Sequence, residues 1–144
     1  MSDNSRSTII KYSDIEGVET QFGSKVKMLM HPAFMDMHKD VSVLWVTLPP
    51  GTSTGRHNHP EETEIEYIVS GTGTLTIGED NQVLDLEPWM VALNPPGLFH
   101  NVVNTSSEIM HLLRIHVPAL PTGVHGDLRD RCIQAAKKSL NKHD

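Results

Sequence analysis

Residues 51–71, GTSTGRHNHPEETEIEYIVSG, restrict this chain more than any other stretch. His57 and His59 stand two apart, so on a β-strand, where alternate side chains share a face, both imidazoles point the same way. Pro60 opens a short turn, and Glu64 follows at the head of an alternating run. Three metal-competent groups then converge on one side of a hairpin-like corner. A fourth comes from far downstream, where PPGLFHNVVN sets His100 after a Pro-Pro-Gly turn at the start of another apolar run. Three neutral imidazoles and one carboxylate suit a divalent first-row metal, and four ligands leave positions open for water or substrate. His31, His38, His125 and His143 stand in no such pattern and are expected to be surface or hydrogen-bonded polar residues.

These residues carry a resemblance to the cupins. The first cupin motif, G-x5-H-x-H-x(3,4)-E-x6-G, is matched by Gly51, His57, His59, Glu64 and Gly71. The second, G-x5-P-x-G-x2-H-x3-N, is matched by Pro95, Gly97, His100 and Asn104, with Trp89 where its first glycine belongs. The resemblance implies an all-β fold, the cupin-type double-stranded β-helix or jelly-roll barrel, with His57, His59, Glu64 and His100 binding a metal inside it. Iron, manganese, nickel and zinc all remain open. It also implies a homodimer. Cupins host many reactions on one barrel, so the reaction does not follow from the motifs.

Size and charge bound the rest. A chain of 144 residues is long enough for one core and suits a single domain. Twelve basic residues against 18 acidic ones, with no Lys or Arg run, argue against a nucleic-acid groove. The chain has no apolar stretch near 18 residues and its first ten residues lack the pattern of a signal peptide, so no membrane partner and a cytoplasmic location are expected. Cys132 is the single cysteine and cannot make an internal disulfide, which agrees with a reducing compartment. On a helix beside alanines it reads as a small packing residue rather than a reactive thiol.

One domain in three stretches follows from the pattern: N-terminal strands and a Met-rich loop over 1–40, a barrel core over 41–118, and a loop and helix over 119–144. Residues 9–12 and 18–22 are candidate strands, and 25–30 alternates with Val26, Met28 and Met30 on one face. Phe34, Met35 and Met37 lie in a loop that either tucks against the barrel or covers a substrate. Residues 41–48 form a strongly apolar strand ended by Pro49-Pro50-Gly51. The alternation of 64–70 puts Glu64, Glu66 and Ile68 on one face, so Glu66 should follow Glu64 inward. A second inward carboxylate needs a cation, a donor or a proton. Trp89 resists the left-handed backbone that glycine tolerates, so the corner at 88–90 is expected to avoid it. In the last strand, 108–117, Met110, Leu112, Arg114 and His116 share one face, and either face could line the barrel. Asp127 can cap a helix whose stripe of Leu128, Cys132, Ala135 or Ala136, and Leu140 packs on the barrel exterior.

Two functions remain. One is a metal-dependent enzyme on a small anionic or oxygen-rich substrate: an oxidoreductase of the dioxygenase kind with iron, or a Lewis-acid lyase or isomerase with manganese, nickel or zinc. Glu66 and Arg114 are then the catalytic candidates, Glu66 as a proton carrier and Arg114 as a grip on carboxylate. The other is a binding or sensing module that takes a small, sugar-like ligand without turnover. Inward-facing Glu66 and Arg114 would favour catalysis, and an apolar lumen would favour binding.

Overall fold

The structure, a computed structural model, describes residues 7–122 and 127–142. His125, His143 and the capping side chain of Asp127 lie outside that description. Among the described residues nine strands precede one α-helix: β1 (Val18–Glu19), β2 (Lys25–Met30), β3 (Ser42–Leu48), β4 (Thr63–Ser70), β5 (Gly73–Ile77), β6 (Gln82–Leu86), β7 (Val91–Asn94), β8 (His100–Val103), β9 (Met110–Val117) and α1 (Asp127–Asn141). They pair into a six-stranded sheet of order β1-β2-β3-β9-β4-β7 and a three-stranded sheet of order β6-β5-β8, all antiparallel. This is the expected jelly-roll barrel with its C-terminal helix. Among the described residues no helix is long and apolar enough to cross a membrane.

The register of the central strands divides the lumen into an apolar end and a polar end. β4 and β9 pair Ile68 with Leu112, Glu66 with Arg114 and Glu64 with His116. β3 continues the same layers, setting Val46 beside Leu112, Leu44 beside Arg114 and Ser42 beside His116. Because side chains alternate along a strand, one face of each carries both halves. Val46, Leu48, Ile68, Val102, Met110 and Leu112 are fully buried and close one end as a packed core. Further along the same faces, the buried groups become Glu64, Glu66, Arg114 and His116. The last strand thus turns the Arg114 face inward.

Several expectations need correction. Residues 9–12 form no strand, and a 3-10 turn occupies Tyr12–Asp14 instead. Beyond Val18 and Glu19 the chain turns away, held by Thr20 N–H···O=C Ser24 and Gly23 N–H···O=C Thr20, so the 18–22 strand is only two residues long. Trp89 does not avoid the left-handed region: its φ is 75°. The segment carrying His57 and His59 is not a regular strand. It lies along β8 through single bridges, with His57 and His100 exchanging N–H···O bonds of 3.0 and 2.8 Å.

The Met-rich loop is tied down. His31 is buried, with Nε2 2.7 Å from the Leu120 carbonyl and Nδ1 accepting from Ala33 N–H, the satisfied polar histidine expected. Phe34 packs on the core, and Met35 and Met37 are half-buried. The helix departs from its expected placement. Cys132, Ile133, Ala136 and Ser139 are its buried residues, and Leu128 and Cys132 share a cavity with Val26, Met28 and Leu44. Val26 and Met28 pair with Val46 and Leu44, so that is the inner face of β2. The helix therefore walls the lumen instead of packing on the barrel exterior. Burial pushes the Cys132 thiol up to about 12, in keeping with a packing role.

Candidate metal centre

His57, His59, Glu64 and His100 meet at the polar end of the lumen, each offering one ligand atom, with these atoms all within 4.8 Å of one another. Local chemistry presents each imidazole edge-on. Gly55, with a φ of 78°, turns its carbonyl back to accept from His57 Nδ1 at 2.8 Å. The Leu98 carbonyl takes the same part for His100 Nδ1 at 2.9 Å. A carbonyl can only accept, so both rings carry a proton on Nδ1 and leave the Nε2 lone pair for the centre.

Two Nε2 atoms of the cluster have no well-aligned partner in the protein. His100 Nε2 lies 2.8 Å from Glu64 Oε2 and His59 Nε2 3.3 Å from Glu64 Oε1, yet both nitrogens are buried without an aligned hydrogen bond. The nitrogens aim at a common space beside the carboxylate. Such a set of buried nitrogen and oxygen donors fits a divalent metal. Burial holds His57 down to about 3, helped by the charges of Arg114 and His100, so it is neutral across the physiological range. Burial also opposes a charged His100, but its contact with Glu64 outweighs this and raises its pKa. A proton there occupies the place a metal cation would take.

Glu64 is fully buried and stays ionised. Burial alone would raise its carboxyl, but Arg114, His100, His116 and His59 together hold it well below the usual range. Behind it, Glu66 is equally buried, and burial with the neighbouring Glu64 raises its pKa despite Arg114. Arg114 Nε donates to Glu66 Oε1 at 2.5 Å, with Nη2 as close to the same oxygen. Asn94 Nδ2 bridges the two acids, 2.9 Å from Glu64 Oε2 and 3.2 Å from Glu66 Oε2. Glu66 thus has the cation and the donor that its inward position demands.

Three residues at this site were not singled out from the sequence. His116 Nε2 donates to Glu64 Oε1 at 2.8 Å, and its Nδ1 is buried without a partner. Burial lowers its pKa, so the ring is neutral and the free Nδ1 is an acceptor. Its signal was present, since it lies two residues beyond Arg114 on the same face. Asn94 had a weaker one, immediately before the second motif's Pro95. Arg129 had none: its Nη2 reaches His59 Nδ1 at 3.1 Å only because of where α1 docks. A cavity of about 360 Å³ opens beside the cluster, lined by His57, His59, Glu64, Arg114, His116 and Arg129 and by apolar side chains of β2, β3 and α1.

Comparison with known proteins places this architecture. An uncharacterized protein of Methanocaldococcus jannaschii is 28% identical over 110 residues, covering 75% of this chain and 84% of that one. An oxalate-binding protein of Thermotoga maritima is 31% identical over 68 residues, 47% of this chain and 54% of its own length. The crystal structure of a predicted oxalate decarboxylase from Thermotoga maritima superposes with a TM-score of 0.64 at 26% identity, covering 76% of this chain and 97% of that one. Residues 44–116, just over half of the sequence and inclusive of every motif residue from His57 to His100, match the cupin domain family, and the chain belongs to it.

Proposed function

We propose that the protein holds a divalent transition metal through His57, His59, Glu64 and His100 and acts as an enzyme on a small anionic or oxygen-rich molecule bound in the adjoining cavity. One observation carries this reading: three imidazoles and the ionised Glu64 carboxylate each bring one donor atom within 4.8 Å of the others. Three neutral imidazoles and one carboxylate leave a bound divalent metal with a net charge of about +1, which favours anions. When bound, the metal supplies Lewis acidity toward a ligand oxygen, or redox chemistry with dioxygen if it is iron.

The chain's own groups divide the remaining work. Arg114 lies on the cavity wall, and Glu66 fixes the direction of its guanidinium. His116 presents an unpartnered Nδ1 able to accept a proton from a ligand hydroxyl, while its other nitrogen is committed to Glu64. Glu66 does not line the cavity, so we assign it the positioning of Arg114 and, through Asn94, of Glu64. Titratable groups beyond the four ligands support catalysis over passive binding. The second reading, a binding module without turnover, draws support from the oxalate-binding relative and from the apolar part of the cavity wall.

Elemental analysis by plasma mass spectrometry tests the metal assignment. We expect close to one metal per chain in the wild type, and loss of most of it in His57→Ala and His100→Ala with the β-rich circular dichroism retained. Wild-type protein that takes up no metal on reconstitution, or variants that keep full content, would refute the assignment. Stoichiometric iron directs assays to oxygen consumption; manganese, nickel or zinc directs them to decarboxylation and isomerisation of small acids.

A further inference from the structure

We infer that Arg129, carried on α1, grips the carboxylate of the ligand, and that this ligand is a monocarboxylate with an aliphatic remainder. The inference deepens the proposed function and rests on its reading of an anionic ligand beside the metal centre.

Arg129 is a cation at this site with a donor to spare. The guanidinium of Arg114 is held against Glu66, with Nε donating to Oε1 and Nη2 paired with the same oxygen by charge though without an aligned hydrogen bond. Arg129 instead faces a ring nitrogen, His59 Nδ1, and its Nη1 is buried with no hydrogen-bond partner. A planar guanidinium with free donors is matched by the two oxygens of a carboxylate.

The contact with His59 adds a second point. A guanidinium can only donate, so His59 Nδ1 accepts and its proton rests on Nε2. Binding a metal through Nε2 requires the opposite tautomer, with the proton on Nδ1, and two donors then face each other. Metal loading therefore frees Arg129 Nη2 as well. Arg129 lines the cavity, and both terminal nitrogens of its guanidinium are then without a protein partner, as bidentate recognition requires.

The rest of the wall sets the ligand class. Val26, Met28, Leu44, Leu120 and Leu128 also line the cavity. Its volume of about 360 Å³ lies at the small end of small-molecule pockets. With Arg114 neutralised by Glu66, a second negative charge among these apolar side chains would have no cation of its own. One charge and a short aliphatic body fit best.

The test uses metal-loaded wild type, Arg129→Gln and Arg129→Lys, each with metal content measured, titrated with hexanoate, hexanamide and oxalate by ligand-observed NMR. We expect Arg129→Gln to keep its metal and lose about ten- to a hundredfold in hexanoate affinity, as for a lost charge-assisted pair. Arg129→Lys, which keeps the charge but not the fork, should fall between, and the wild type should prefer hexanoate to both hexanamide and oxalate. Unchanged hexanoate affinity in metal-loaded Arg129→Gln overturns the role of Arg129 and leaves the anionic-ligand reading standing. A wild type that prefers oxalate overturns the aliphatic class, and one that binds neither acid overturns both readings. If Arg129→Gln fails to fold, Arg129→Lys decides alone, by whether hexanoate binding weakens.

Discussion

Trp89 sits where a turn needs backbone that only glycine adopts freely. Pro88 precedes it, Met90 N–H bonds back to the Glu87 carbonyl at 3.3 Å, and a positive φ is required at the third position. The sequence expectation failed here because it weighed side-chain preference against backbone need and let preference win. The corner is held from outside, by Trp89 N–H···O=C Ile68 at 3.0 Å and Ile68 N–H···O=C Met90 at 2.9 Å, which anchor the turn to β4. The indole gains little in return: it is 84% exposed, with the Tyr67 ring edge-on to it at a centroid distance of 6.4 Å. A non-glycine residue in this region costs about 1 kcal/mol or more. Trp89→Gly should therefore be more stable than Trp89→Ala by about 1 kcal/mol in urea denaturation, since both lose the Tyr67 contact and only glycine relieves the backbone. Equal midpoints would mean that the turn carries no strain.

At the scale of strands, burial follows alternation closely enough to predict which substitutions matter. Ile68 is fully buried between Leu112 and the inner faces of the barrel, whereas Val83 on β6 is 60% exposed. Ile68→Ala should cost about 2–5 kcal/mol, and Val83→Ala no more than about 0.5 kcal/mol, both read from denaturant midpoints. Similar losses at the two positions would contradict the placement of β4. The same alternation made Glu64, Glu66 and Ile68 legible in the sequence as one face, because a period of two leaves no other arrangement once Glu64 faces in. For β9 it left the two faces equivalent. Both carry apolar residues, and only pairing with β4, Glu66 against Arg114 and Glu64 against His116, breaks the tie. The cluster of His57, His59, Glu64 and His100 was legible because each of the two short segments that supply it joins turn residues to metal-competent ones. Arg129 and the inward docking of α1 were not, since they depend on how a helix meets partners 70 to 106 residues earlier in the chain.

For the molecule as a whole, α1 closes a side of the barrel that the sheets leave open. Its buried face is narrow: Cys132, Ile133 and Ala136, with Leu128, Ala135 and Leu140 partly covered, and Ser139 Oγ accepting from Glu16 N–H at 3.0 Å. A helix so placed either opens on its own or leaves only when the barrel unfolds, and the two cases differ in stability by several kcal/mol. Cys132 reports which holds, since it is 1% exposed against Val26 and its thiol is held protonated to about 12. Buried apolar contacts with Val26 and Met28, themselves paired into the six-stranded sheet, join the helix to the core. Thiol labelling at pH 8 should thus follow global unfolding, slow in buffer and rising with urea along the same curve as circular dichroism. Raised folded-state pKa also fixes the sign of the pH effect: the contribution of Cys132 is intact below the ordinary thiol range near 8.5 and is lost as pH climbs toward 12, because only the unfolded chain then ionises. Fast labelling in plain buffer would instead make α1 a gate that opens without the barrel, and the cavity it walls would then be open for part of the time.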